Sequence, residues 1–158
     1  MSSQVTGGGA PFNRHFLVQH DDITKSRLEP GFDGLTCLNV MMAVVDDKAA
    51  IAGMFRLVRP GGLIILSFPY NEQKPMENVY KHPEAGYGQN FRFPCRIYTR
   101  WDIDGWLREN PGECVAQEYY RMFTGEFWTM GERVPPTAVH VGEPHQFTSV
   151  VIRKDANA

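Results

Sequence analysis

Three polar residues follow a short apolar run, and their chemical types and position suggest contact with a ligand. Tyr70, Asn71 and Glu72 are separated by one proline from Leu63–Phe68, which is apolar on both faces of a predicted strand. Such a strand is typical of a parallel sheet that helices cover on both sides. Because open α/β sheets bind ligands beyond the carboxyl ends of their strands, these residues are candidates for substrate contact. Glu72 is a weak candidate for a general base, the alternative being a solvated loop acid.

Asn39 has a comparable position, near the end of the predicted strand Asp33–Val40. A buried asparagine needs hydrogen-bond partners, which either a ligand or the protein core could supply. The histidines give a weaker indication of chemistry. His140 and His145 flank Glu143, but this spacing suits no regular helix face, so we predict no metal site.

The elements that must position these residues alternate between strand and helix. His15–Gln19 is a short strand candidate that precedes Asp33–Val40. A helix is predicted next, from apolar residues at i, i+3, i+4 and i+7, which are Ile51, Met54, Phe55 and Val58. Asp46 or Asp47 is expected to begin this helix, and Pro60–Gly62 to end it before the apolar strand.

A second helix is predicted from Thr99, because Asp102 three residues later makes a capping box. It is expected to end at Asn110–Gly112. Three segments follow, namely two strands, Cys114–Phe123 and Phe147–Arg153, and the irregular Thr124–Gln146 between them. The order of elements predicts an α/β fold whose sheet is mostly parallel, with an antiparallel C-terminal strand pair.

The composition fits one soluble domain, predicted over residues 12–158 behind a flexible tail at 1–11. Of the 158 residues, 42% are hydrophobic and 22% are charged, and the formal net charge is -2. This charge argues against a nucleic-acid-binding protein, and no apolar run is long enough for a membrane helix. The three cysteines have no metal-type spacing, which favours reduced thiols and a cytoplasmic location.

Three stretches, taken in order, carry a family resemblance. They are QHDDIT at Gln19–Thr24, the stretch Gly31–Tyr70 that contains LVRPGG, and RIYTRWDIDGWL at Arg96–Leu107. Together they resemble class I S-adenosylmethionine-dependent methyltransferases of the Rossmann-like kind. The resemblance implies S-adenosylmethionine as cofactor and methyl transfer to a small molecule. The alternative is a non-catalytic methyltransferase-like binding or structural subunit, or a fragment of a longer enzyme.

The resemblance also implies roles for single residues. The cofactor-binding candidates are Asp22, Ile23, Asn39 and Met41. Asp22 would accept hydrogen bonds from the adenine amino group, or Asp21 if the alignment shifts by one residue. The substrate-binding candidates are Tyr70, Asn71, Tyr98 and Trp128. For Trp128 two interpretations stay open, a flap over the substrate or a loop folded back onto the core.

A complete member of the resembled family has two more strands before Phe16, the first with a glycine-rich cofactor loop. Here only Gly7–Gly9 offers glycines, and we interpret them as a linker. We therefore expect a truncated Rossmann-like sheet that binds S-adenosylmethionine weakly or not at all. The Asp33–Val40 strand would keep an open edge, which a second copy in a homodimer or a complementing partner chain would cover.

Overall fold

A computed structural model describes residues 4–5 and 18–158 of the chain. Gln4–Val5 (β1) pairs antiparallel with Val18–Gln19 (β2) in a two-stranded ribbon. Of the predicted strand His15–Gln19, only the last two residues lie within the described part. Of the predicted tail at 1–11, only Gln4–Val5 is described, and the other residues of the tail lie outside the described part.

The rest of the described chain builds one five-stranded sheet and two α-helices. The strands are β3 (Phe32–Leu38), β4 (Val58–Pro69), β5 (Gly112–Phe123), β6 (Arg133–Val139) and β7 (Phe147–Lys154). The helices are α1 (Asp47–Leu57) and α2 (Arg100–Glu109). The strand order is β3-β4-β7-β5-β6. The α/β prediction is therefore confirmed, and no described helix is long and apolar enough to span a membrane.

The prediction of a mostly parallel sheet is wrong. Only β3 and β4 pair in parallel, whereas β4–β7, β7–β5 and β5–β6 are antiparallel. The physical reason is that β7 inserts between β4 and β5, so these two strands point the same way without touching. Further parallel pairing would have to occur at the outer edge of β3, where the described residues supply no strand.

The sequence interpretation also missed β6, which lies inside the segment treated as irregular. Pro135 and Pro136 suggested a loop because proline cannot donate a ladder hydrogen bond. At the edge of a sheet that donor is not needed on the solvent side, so β6 pairs with β5 and forms the outer strand.

Local signals place both helices as predicted. The Asp46 side chain caps α1 by accepting a hydrogen bond from the Ala49 N–H at 2.9 Å. The Asp102 carboxylate caps α2 by accepting from the backbone N–H of Thr99 at 2.7 Å and from its hydroxyl at 2.8 Å. Helix α1 ends at Leu57, earlier than expected, because the strand already begins at Val58 and includes the Pro-Gly-Gly turn.

Both helices lie on the same face of the sheet and enclose what we call the main core. Its side chains from β4 are Ile64, Leu66 and Phe68, which alternate with residues of the other face. The remaining buried members come from the two helices, β7 and nearby loops: Met41, Ala50, Ile51, Met54, Phe55, Val58, Tyr70, Tyr98, Ile103, Trp106, Val150 and Ile152. Each large apolar side chain buried here stabilises the fold by about 1.5–3 kcal/mol.

The Asp47 carboxylate joins three parts of this core. One oxygen lies 3.1 Å from an Arg96 guanidinium nitrogen, and the other accepts the Trp106 indole N–H at 2.9 Å. Asp47 is the first residue of α1, Trp106 lies in α2, and Arg96 belongs to the segment that runs up to α2. The two helices are therefore fixed relative to each other by one side chain.

A second group of buried residues, here called the upper cluster, lies beyond the carboxyl ends of β3 and β4. It contains Met42, Val79, Tyr80, Cys95, Ile97, Phe123, Phe127, Trp128 and Met130. The Trp128 ring packs against Phe123 and Phe147, with ring centroids 5.1 and 5.3 Å away. The Gly86 N–H also bonds to the Thr129 carbonyl. The loop that contains Trp128 is therefore folded back onto the protein.

We predict that Asp47→Ala lowers the free energy of unfolding by about 2–3 kcal/mol, because it leaves the Trp106 N–H and Arg96 without their acceptor. Urea unfolding followed by circular dichroism measures this. Asp104→Ala is the control, since its half-exposed carboxylate lies 4.0 Å from Arg100 and should contribute below about 0.5 kcal/mol. Equal urea midpoints for both variants would contradict the bridging role.

We predict that Trp128→Ala costs about 3–5 kcal/mol, because it opens a cavity in the upper cluster. The side chain is only 8% exposed, whereas Trp101 on α2 is 64% exposed and gives a matched control. Trp101→Ala should change stability by less than about 0.5 kcal/mol. Similar melting temperatures for the two variants would mean that the Trp128 loop is not packed in solution.

Candidate functional site

The candidate site lies at the carboxyl edge of the sheet, where β3 and β4 end, β5 ends and β7 begins. The register places Pro69 beside Phe147 and Phe147 beside Tyr120, so the residues next to them in sequence share this edge. Polar side chains from the segment after β4, from β5, from the loop before β7 and from α2 meet there. This is the part of an α/β sheet in which ligands are expected to bind.

Tyr70 and Glu72 form the first pair of the site. Tyr70 is fully buried, and its hydroxyl donates a 2.7 Å hydrogen bond to the Glu72 carboxylate. Burial raises the pKa of Tyr70 above its usual range, and the bond to Glu72 raises it further. The phenol therefore stays protonated as a donor, and it holds the Glu72 carboxylate at the edge of the core.

Arg100, in the first turn of α2, connects this pair to β5. Its guanidinium donates to the Tyr119 hydroxyl at 3.1 Å and to the Gln117 side-chain oxygen. The same group lies 3.8 Å from Glu72. Burial raises the pKa of Tyr119, although the Arg100 charge acts in the opposite direction. The result is a half-buried network in which one cation faces one carboxylate and two tyrosines.

His145 completes the site from the loop before β7. Its ring stacks on Tyr70 at 5.8 Å and lies 4.8 Å from the Tyr119 ring. Nδ1 is 2.7 Å from the Glu143 carbonyl, which can only accept, so Nδ1 carries a proton. Nε2 is buried and has no hydrogen-bond partner in the described part of the chain. In the neutral ring this nitrogen is an acceptor without a donor.

A cavity of about 160 Å³ opens beside this network. Its lining residues are Asn71, Glu72, Glu126, Glu143, Pro144 and His145. Of its three carboxylates, Glu126 is paired with Lys74 and Glu143 accepts the His140 backbone N–H. The lining residues are therefore mostly polar in type and already have partners, but most of the surface that they present to the cavity is apolar. This volume is below the roughly 300–1,000 Å³ of a typical ligand pocket, so the cavity suits one group of a larger molecule.

The structure places the other substrate candidates in supporting positions. The Asn71 side-chain oxygen accepts from the backbone N–H groups of Gln73 and Lys74, which fixes the turn after β4. Tyr98 is fully buried and donates from its hydroxyl to the Met41 carbonyl at 2.9 Å. Trp128 lies in the upper cluster, so of the two interpretations left open, the structure has the loop folded back.

The cofactor candidates are not brought together. The Asp22 side chain accepts from the Thr24 N–H and hydroxyl and begins a short 3₁₀ turn, Ile23–Lys25, and these bonds lower its pKa. This turn packs on α1 at Gly53, where an added Cβ would lie 2.0 Å from the Ile23 carbonyl oxygen. Gly53 is six residues from the start of the helix, about 9 Å along its axis.

Asn39 and Met41 lie instead near the first turn of α1, beyond the end of β3. Asn39 has a left-handed backbone with φ of 56°, and its N–H bonds to the Ser67 carbonyl. Its side chain is exposed, which corrects the expectation of a buried asparagine. The reason is that no described strand lies on the outer side of β3. Met41 is fully buried in the main core.

The described residues do not form a complete binding site for S-adenosylmethionine. Asp22 is occupied as a cap, Met41 is enclosed by the core, and only Asn39 presents a free polar side chain. The glycines at 7–9 lie outside the described residues. Within the described ranges, no three His, Cys, Asp or Glu side chains lie close enough to hold a metal ion.

Sequence reasoning missed Arg100 and Tyr119, and it considered His145 only as a metal ligand. One signal was available, because Gln117 and Tyr119 are two residues apart and must share a face of a strand. Nothing local indicates that Arg100 reaches this face, since the contact depends on how α2 packs against β5. The histidine is found only when the loop before β7 is placed over Tyr70.

No protein-family model and no curated protein matches the chain. Solved structures do match. One is an S-adenosylmethionine-dependent methyltransferase from Thermotoga maritima, named as a possible histamine N-methyltransferase, with 13% identity and a TM-score of 0.54. Another is the [4+2]-cyclase SpnF, with 10% identity and a TM-score of 0.55. The matches cover 84% and 85% of this chain, but only 61% and 54% of those proteins.

At such identities the likeness concerns the fold and not the reaction, and one of the two neighbours is named as a cyclase. The chain thus has the fold of class I S-adenosylmethionine-dependent methyltransferases, over less than two thirds of the length of these neighbours.

Proposed function

We propose that the chain is the acceptor-binding part of an S-adenosylmethionine-dependent methyltransferase that acts on a small molecule. The observation that supports this most is the Tyr70, Glu72, Arg100, Tyr119 and His145 network beside a small cavity at the carboxyl edge. Tyr119 and Arg100 can donate hydrogen bonds, and Glu72 and the Nε2 atom of His145 can accept them. Such a set orients a polar acceptor, and orientation is a large part of what transfer from a reactive sulfonium requires.

We propose roles for three groups of the network. Glu72 is the group best placed to accept a proton or hydrogen bond from the acceptor, since Tyr70 and Arg100 hold its carboxylate from two sides. Arg100 and Tyr119 act as positioning residues because they fix this carboxylate. A cytoplasmic location, suggested by reduced thiols, stays a prediction, and the described cysteines are all free.

The cofactor would be S-adenosylmethionine, by resemblance, and the isolated chain is proposed to bind it weakly. The residues present fit at most one side of this molecule, so no transfer step can be assigned to the chain alone. Each missing polar contact costs about 1 kcal/mol or more, and several together reduce affinity by orders of magnitude. The chain is therefore proposed to be incomplete as an isolated catalyst.

Calorimetric titration with S-adenosylmethionine and with its demethylated product tests the cofactor proposal. We expect no measurable heat, or a dissociation constant weaker than about 100 μM, because most polar contacts of a cradle are missing. The Thermotoga maritima neighbour, titrated in parallel, is the positive control. A dissociation constant of a few micromolar or tighter for this chain would overturn the proposal and direct attention to Gly7–Gly9.

A further inference from the structure

The outer edge of β3 has backbone groups with no partner among the described residues. The Asn39 N–H bonds to Ser67 of β4, and successive backbone N–H groups of a strand point to opposite sides. Cys37 therefore faces β4, whereas Gly34, Thr36 and Leu38 direct their N–H and C=O groups outward. In the described part of the chain, no strand occupies this side of the sheet.

One face of the same sheet is also left uncovered by the helices. Because Ile64 and Leu66 point into the main core, Leu63 and Ile65 point to the opposite face. The register puts Thr36 beside Ile65 and Ile65 beside Val151, so this face continues from β3 across β4 to β7. Its apolar side chains reach solvent, with Leu38 57% and Leu63 37% exposed. The open edge and the open face meet along β3.

The two edges of the sheet differ in how they resist pairing. At the far edge, β6 carries Pro135 and Pro136, which block the addition of a strand. Phe32–Leu38 has no proline and no lysine, and its one charge, Asp33, is paired with Arg59. Only one edge is protected, which is the pattern expected when the other edge is normally paired.

A second copy of the chain would cover this surface poorly. Two copies that pair β3 with β3 in an antiparallel sheet are related by a two-fold axis perpendicular to that sheet. Such an axis leaves both sets of helices on the same side. The opposite faces, with Leu63 and Ile65 in each copy, would then stay open and form one larger apolar surface. A suitable occupant must bring both a strand and something to cover the face.

We propose that the β3 edge and the face containing Leu63, Ile65 and Val151 form a docking surface for a different polypeptide. This partner adds a strand beside β3 and lays an apolar helix across the open face. Its chemistry is that of the remaining part of the same fold, since the chain spans only 61% and 54% of its two structural neighbours. The identity of the partner rests on the proposed function, but the surface itself does not.

Site-specific photocrosslinking in the cells that make the protein tests this. The photoreactive residue p-benzoylphenylalanine replaces Thr36 at the open edge or, as a matched control, Thr137 on β6. Both threonines are exposed and lie on edge strands. After irradiation, adducts are sized by immunoblotting and the linked peptides are identified by mass spectrometry. Leu38 is a second probe position if the Thr36 variant does not fold.

We expect the Thr36 probe to give an adduct with a different polypeptide, linked within a strand-forming segment, and the Thr137 probe to give at least tenfold less. An adduct of the chain with itself, equal adducts at both positions, or no adduct at Thr36 would each overturn the proposal. The co-purified pair should bind S-adenosylmethionine at least tenfold more tightly than the chain alone. If the adduct forms without this gain, the docking surface stands and the proposed function fails.

Discussion

The Asp47 carboxylate is the contact on which the rest of this arrangement depends. It sits at the point where α1 begins, and it binds Arg96 and Trp106, which belong to distant parts of the chain. Through Trp106 it sets the position of α2, and α2 in turn carries Arg100 to Glu72 and Tyr119. Through the segment next to Arg96 it supports Tyr98, whose hydroxyl holds the turn at Met41. The carboxyl edge is thus organised from one partly buried polar contact beside the main core.

Local chemistry in the sequence was enough to find the helices and the central strands. The caps at Asp46 and Asp102 and the apolar spacing of α1 are determined within a few residues, so they can be recognised without knowledge of the fold. Strand order is different, because the neighbours of β7 are decided by packing across the whole sheet. The edge strand β6 was missed for a related reason, since its prolines are excluded from central strands and accepted only at an edge.

The residues of the candidate site also differ in whether the local sequence predicts them. Tyr70 and Glu72 follow a recognisable strand, and their position at its carboxyl end was predictable. Arg100, Tyr119 and His145 come from a helix, a strand and a loop that meet only in the folded chain, so no local pattern marks them as partners. The exposed side chain of Asn39 shows the opposite error: it was treated as buried although an open edge was expected at Asp33–Val40, and the described strands leave β3 at the edge.

The place of β7 has a consequence for how this chain folds. The last strand in sequence, Phe147–Lys154, pairs with β4 on one side and with β5 on the other. Until β7 pairs with both of them, β3–β4 and β5–β6 are therefore two separate parts of the sheet. Contacts between β4 and β7 also close a loop of roughly 80 residues, and pairings so distant in sequence fold slowly. Removal of β7 would thus divide the sheet into two parts, whereas removal of the edge strand β6 would only make the sheet narrower by one strand.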